Sequence, residues 1–168
     1  MQFSMYEASL PPMIHMLKNL SAILTKAAAQ AKDDNISLAS LTEARLAPDM
    51  FPFTRQVQIT SDVAKGCAAR LSGQEAPSWP DTETTFPELQ ERVAKTIAYL
   101  QSVKPEQVAG SESRKITLKS PTRTLEFTGS DYLTTFVLPN FYFHLTTAYG
   151  LLRHKGIAIG KMDYLGNA

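Results

Sequence analysis

Four segments of the chain place apolar residues three and four positions apart, and that spacing constrains the fold more than any other feature. The first carries Leu10, Met13, Leu17, Leu20, Leu24 and Ala27, and Pro11 and Pro12 suit a helix start just before it. The second, from Met50 to Leu71, carries Phe53, Val57, Thr60, Ala64, Cys67, Ala68 and Leu71. Asp49 reads as its cap and Pro52 as an early-turn proline. The third, from Phe86 to Val103, aligns Leu89, Val93, Thr96, Ile97 and Leu100, with Glu88, Glu91 and Lys95 on its solvated side. The fourth begins near Ser130 and stops at His154-Lys155-Gly156. Pro139 inside it cannot donate to the carbonyl of Thr135, which predicts a kink. Stripes of this length are buried only against one another, so the chain is expected to be an all-α, four-helix bundle.

Little else competes with that reading. Between the third and fourth helices, "RKITLKSPTRTLEF" alternates apolar and polar residues around a Ser-Pro-Thr turn, predicting a small two-stranded β-ribbon from Lys115 to Phe127, before the last helix. "LASLTEARL" reads as a short helical piece, and the tail is expected to dock through Ile157, Ile159 and Leu165. At 168 residues with 43% apolar and 20% charged residues, the chain suits one domain, 1–168. A formal net charge of +1 without a basic stripe argues against nucleic acid as a partner. One cysteine excludes an internal disulfide, and neither a signal peptide nor a membrane span is legible, so no membrane partner and a cytoplasmic location are expected.

The candidate site comes from polar residues carried on apolar faces. In "LPNFYFHLTTAYGLL", Asn140 and His144 lie one turn apart and share the wheel position of Leu133, Val137, Ala148 and Leu151. Gln56 of the second helix also turns inward, with Thr60 and Thr147 nearby, while Gln58 and Asp62 are expected to face outward. Gln56, Thr60, Asn140, His144 and Thr147 are therefore expected to line a pocket between helices two and four that binds a small polar molecule. His144 would serve there as acid, base or hydrogen-bond donor. Buried, it is expected to be neutral at pH 7 and bonded to a neighbouring polar group, for which an inward Asn140 is suited, or to a pocket water.

Other chemistry is thinly represented. A divalent metal wants three strong ligands, and His144 is the one such ligand in the set, so no cofactor is expected. Phosphate loops, Cys-x-x-Cys pairs and Gly-x-Ser-x-Gly elbows are absent from the sequence. Cys67 reads as an inert core thiol, His154 as a helix-end charge, and His15 as solvated or at a subunit contact. Trp79, in the proline-rich "SGQEAPSWPDTETTFPE", is expected to pin that loop to the body. Met5, Tyr6, Met16 and Ile23 lie off the main stripe of helix one and point to a homodimer surface. Two other function classes stay open: a metal- or thiol-dependent transferase, and a dimeric structural protein whose polar core is only structural.

Three segments carry a resemblance: "LAPDMFPFTRQVQITSDVAKGCAARLSG", "TFPELQERVAKTIAYL" and "YLTTFVLPNFYFHLTTAYGLLRHKGIAIGKMDYLG". Together they resemble an uncharacterised bacterial family of the DinB/YfiT-like superfamily, over nearly the whole chain. The resemblance implies up-down-down-up connectivity and frequent homodimers. It also implies, in many members, a divalent metal held by one histidine on helix two and an H-x-x-x-H pair on helix four, and in some a thiol-dependent transferase activity. This chain matches that pattern at His144 alone: the paired position falls on Asn140 or Ala148, and the helix-two position on Gln56.

Overall fold

The computed structural model describes residues 4–120 and 122–166. Helix α1 (Met5–Asp33) is followed by a short α2 (Leu38–Thr42), then α3 (Phe53–Leu71), α4 (Phe86–Ser102) and a single turn, α5 (Pro105–Val108). Strands β1 (Ile116–Lys119) and β2 (Thr124–Phe127) pair antiparallel, Ile116 opposite Phe127 and Leu118 opposite Leu125. The expected ribbon therefore forms, and the Pro121 of its turn lies outside the described residues. The last long helix is built from α6 (Gly129–Asp131), a π-helical stretch (Tyr132–Val137) and α7 (Leu138–His154), and α8 (Lys161–Leu165) closes the chain.

Side-chain contacts give the directions of the helices. Phe53 stacks on Phe86 at 5.5 Å and the Ser61 hydroxyl meets that of Thr96 at 2.6 Å, so α3 and α4 start together and run parallel. Gln56 meets His144 while Arg70 meets Tyr132, so α3 and α7 run antiparallel. Ser21 and Thr25 of α1 bond Gln90, whereas Met5 and Tyr6 face Pro105 beyond the end of α4, so α1 and α4 are antiparallel. The result is an up-down-down-up bundle. Leu10, Leu17, Leu24, Phe53, Val57, Leu89, Val93, Phe141 and Ala148 are fully enclosed along its axis. No helix of the described residues is long and apolar enough to cross a membrane.

Several expectations are corrected. Helix α1 starts at Met5, because the Ser4 hydroxyl accepts from Glu7 N–H at 3.2 Å and the Glu7 carboxylate accepts from Ser4 N–H at 3.1 Å. Pro11 and Pro12 consequently lie inside the helix instead of marking its start. Helix α3 starts at Phe53 rather than Met50, and Pro52, not Asp49, holds the capping position. The Phe53 N–H is drawn back to the Ala44 carbonyl at 2.8 Å, which ties residues 44–53 into a closed loop ahead of the helix. The break expected at Pro139 appears just upstream as the π-helical stretch, where Leu138 N–H donates to the carbonyl of Leu133, five residues back.

The apolar surface that pointed to a dimer is not on the surface. Met5, Met16 and Ile23 are buried within this one chain, and Tyr6 is half-buried. At the tail, Ile157 and Ile159 are enclosed as expected, but Leu165 is exposed. Polar contacts hold α8 instead: the Leu165 carbonyl accepts from His15 Nε2 at 2.7 Å, the Tyr164 carbonyl from Asn19 at 3.0 Å, and Lys26 pairs with Asp163 at 3.1 Å. His15 thus anchors the tail.

Candidate functional site

Gln56 leaves the first turn of α3 with its amide nitrogen donating to the Phe51 carbonyl at 3.0 Å. That bond turns the amide oxygen toward α7, where it lies 2.6 Å from Nδ1 of His144. An amide oxygen only accepts, so Nδ1 carries the proton and Nε2 is left with a bare lone pair. Nε2 has no hydrogen-bond partner among the described residues. It is also not sealed from solvent, since the enclosed unpartnered side-chain atoms are Tyr99 Oη and Ser111 Oγ. His144 is 9% exposed and Gln56 1%. The exposed ring of Phe143 meets the imidazole edge-on at 5.1 Å, and exposed Phe51 sits under the Arg55 guanidinium at 5.9 Å.

Of the five residues expected to share a pocket, the structure joins two, Gln56 and His144. Asn140 is half-buried, one turn before His144, and makes no hydrogen bond among the described residues. Thr60 is fully enclosed and bonds its own helix at the Gln56 carbonyl (2.8 Å), and half-buried Thr147 does the same at the Phe143 carbonyl (2.7 Å). The principal cavities of the described residues lie elsewhere, and none is lined by Gln56, Asn140 or His144. Val57, Ala64, Leu145 and Ala148 are close to fully enclosed, which leaves the histidine at the edge of the α3–α7 contact rather than in a chamber.

Burial pushes the His144 pKa below its ordinary value of 6.5, and the Arg55 charge adds to the shift. The folded state therefore binds fewer protons than the unfolded state below that value. Stability is fully present above about pH 6.5 and is lost as pH falls through it toward the folded-state pKa. Denaturant melts between about pH 5 and 7 are expected to show this loss, and His144→Asn should flatten it.

A larger polar assembly lies on the other side of α3, and the sequence reading missed it. Arg92 of α4 has a side chain only 1% exposed. Its guanidinium donates to Asp62 at 2.9 Å, Asp81 at 2.9 Å, both oxygens of Glu83 at 3.0 Å and the Pro80 carbonyl at 3.2 Å. Asp62 also pairs with Lys65 at 2.7 Å, and Gln58 donates to Glu83 at 3.0 Å. Gln58 is thus enclosed and Asp62 engaged, where both were expected to face solvent, because the loop from 72 to 85 folds back over them. Trp79 pins that loop as expected: Lys65 and Lys95 lie over its ring at 4.6 and 4.5 Å, and Tyr99 meets it edge-on at 6.1 Å.

The donor set around His144 does not fit a divalent metal. It offers one imidazole nitrogen and amides, one amide oxygen is already committed to Nδ1, and the cationic Arg55 stands close enough to depress the histidine's pKa. Among the described residues no group of three or more His, Cys, Asp or Glu is placed to hold a metal ion. Cys67 is fully buried, and desolvation pushes its thiol up to about 12. Thiol reagents are accordingly expected to leave the native protein unlabelled and to react once it is denatured; rapid native labelling would contradict this placement.

Comparison with known proteins finds both a family and related solved structures. The family model described as "Domain of unknown function (DUF1993)" matches residues 5–165. A crystal structure of a DinB family member protein from Shewanella denitrificans is 40% identical, covering 97% of this chain and 92% of that one with a TM-score of 0.87. No curated protein matches.

Proposed function

The chain belongs to the DUF1993 family of uncharacterised, DinB-like proteins, and from that premise we propose that it binds a small polar molecule at the outer edge of the α3–α7 contact, without a metal. One observation carries this reading: Gln56 fixes the proton of His144 on Nδ1 and leaves Nε2 as an unused acceptor beside an exposed phenylalanine. A ligand hydroxyl or N–H would donate to Nε2, and its apolar part would lie against Phe143, with Phe51 on the neighbouring loop. Asn140, half-buried and without a hydrogen bond among the described residues, offers a second donor and acceptor one turn away. An open site of this kind suits weak, reversible binding, since little of the ligand would leave water.

A fragment screen of small alcohols, amides and amino alcohols, read by nitrogen NMR of the imidazole, tests the reading. Bound fragments are expected to shift His144 Nε2 selectively, and His144→Ala and Gln56→Leu should abolish the response. Fragments that bind without moving Nε2, or no binding at millimolar concentrations, would leave the pair a structural strut.

A further inference from the structure

Arg70 lies fourteen residues along α3 from Gln56, about 21 Å away, so it belongs to a different site. Arg70 is half-buried as a residue, yet its guanidinium is in no ion pair among the described residues. Of its five N–H donors, one is used among the described residues, to the hydroxyl of buried Tyr132 at 3.1 Å. A half-buried arginine without an ion-pair partner among the described residues is an unused anion-binding group, and it lines a groove of about 240 Å³. Residues 76–79 of the following loop form the far wall, including Ser78 and Trp79, and Lys65, Gly66 and Asp62 line the α3 side. Asp62 is already shared by Lys65 and Arg92, so the lining carries one carboxylate against two cations. Gly66 makes the arrangement possible: a Cβ there would overlap the Arg70 guanidinium, which lies over the glycine.

We infer that this groove binds a small oxyanion-bearing molecule, a carboxylate or phosphate, through Arg70. The planar guanidinium would take two of its oxygens side by side, Tyr132 fixing the fork from behind and Ser78 placed to donate from the loop. The volume suits a small molecule of one anionic group and not a nucleotide or a polymer.

Trp79 is the chain's single tryptophan and lines the groove, so its fluorescence reports occupancy directly. Titration with sodium phosphate and with sodium acetate, at ionic strength held constant with sodium chloride, is expected to give a saturable change with at least one of the two. Arg70→Gln should weaken that binding about tenfold or more. Gly66→Ala provides the variant that keeps the fold: alanine favours the helix, so the melting temperature should hold or rise while the displaced guanidinium binds less well. The absence of any saturable response in the wild type, or wild-type affinity in Arg70→Gln, overturns the assignment and leaves Arg70 a helix-end charge.

Discussion

Arg92→Ala is expected to cost about 3–4 kcal/mol of folding stability, among the largest losses of any single polar substitution in this chain. The reasoning starts from where the charges are. The Arg92 side chain is 1% exposed, while the Asp62 and Asp81 side chains are 33% and 34% exposed and Glu83 is 15% exposed. Removing the guanidinium leaves three carboxylates facing one another across a void. Partial solvation of the two aspartates keeps the loss toward the lower part of the range for breaking a buried ion pair. Burial and the three carboxylates act oppositely on the arginine itself, and the carboxylates win, raising its pKa further. The damage should be local first, because the group's contacts to Pro80, Asp81 and Glu83 hold the loop from 72 to 85 onto α3 and α4. Limited proteolysis of the variant should therefore cut within that loop while the helices stay intact. Arg92→Lys keeps the charge without the fork and should recover only part of the loss. A urea melt showing a loss below about 1 kcal/mol would mean that the cluster is solvated decoration.

Gly129→Ala is the second large effect, expected near 3 kcal/mol, and it arises from backbone rather than charge. A Cβ at position 129 would overlap the carbonyl oxygen of Ser111 and press on its carbonyl carbon, atoms that no rotamer change can move aside. The contact is the point at which α6 crosses the 3₁₀ turn Ser111–Ser113, and it sets where the last long helix enters the bundle. Ser111 supplies the opposite case: its hydroxyl is sealed and unpartnered, so Ser111→Ala should be neutral or stabilising by about 1 kcal/mol. Thermal melts of the two variants should move in opposite directions, or the first should fall while the second stays put.

The bundle was legible because each stripe is long and its period is unmistakable in Leu10 to Ala27 and in Leu89 to Leu100. Its ends were less so. Two prolines looked like a start, yet a Ser4–Glu7 capping box satisfies the first N–H groups seven residues earlier than Pro11. Asp49 looked like a cap, but the Phe53 N–H found a tertiary acceptor in Ala44. The pairing of Gln56 with His144 was half visible: both residues pointed inward, while the choice of Gln56 over Asn140 depended on which helix faces the ring. Arg92 was in plain sight and passed over. It falls three after Leu89 and four before Thr96, on the apolar stripe itself, which an arginine occupies only when carboxylates meet it there. Those carboxylates come from α3 and from a long loop, and loop paths have no periodicity to read. Met5, Met16 and Ile23 were placed on an outer face for a related reason, since α1 is covered on more than one side by its own chain.

The tautomer of His144 tests the site most directly. A two-bond proton–nitrogen correlation spectrum of the ¹⁵N-labelled protein near pH 7.5 distinguishes a protonated ring nitrogen from a bare one. The expected result is a neutral ring with the proton on Nδ1 and an unprotonated Nε2, an arrangement that collapses in Gln56→Leu. A proton on Nε2, or an imidazolium at that pH, would contradict the geometry from which the binding site is inferred.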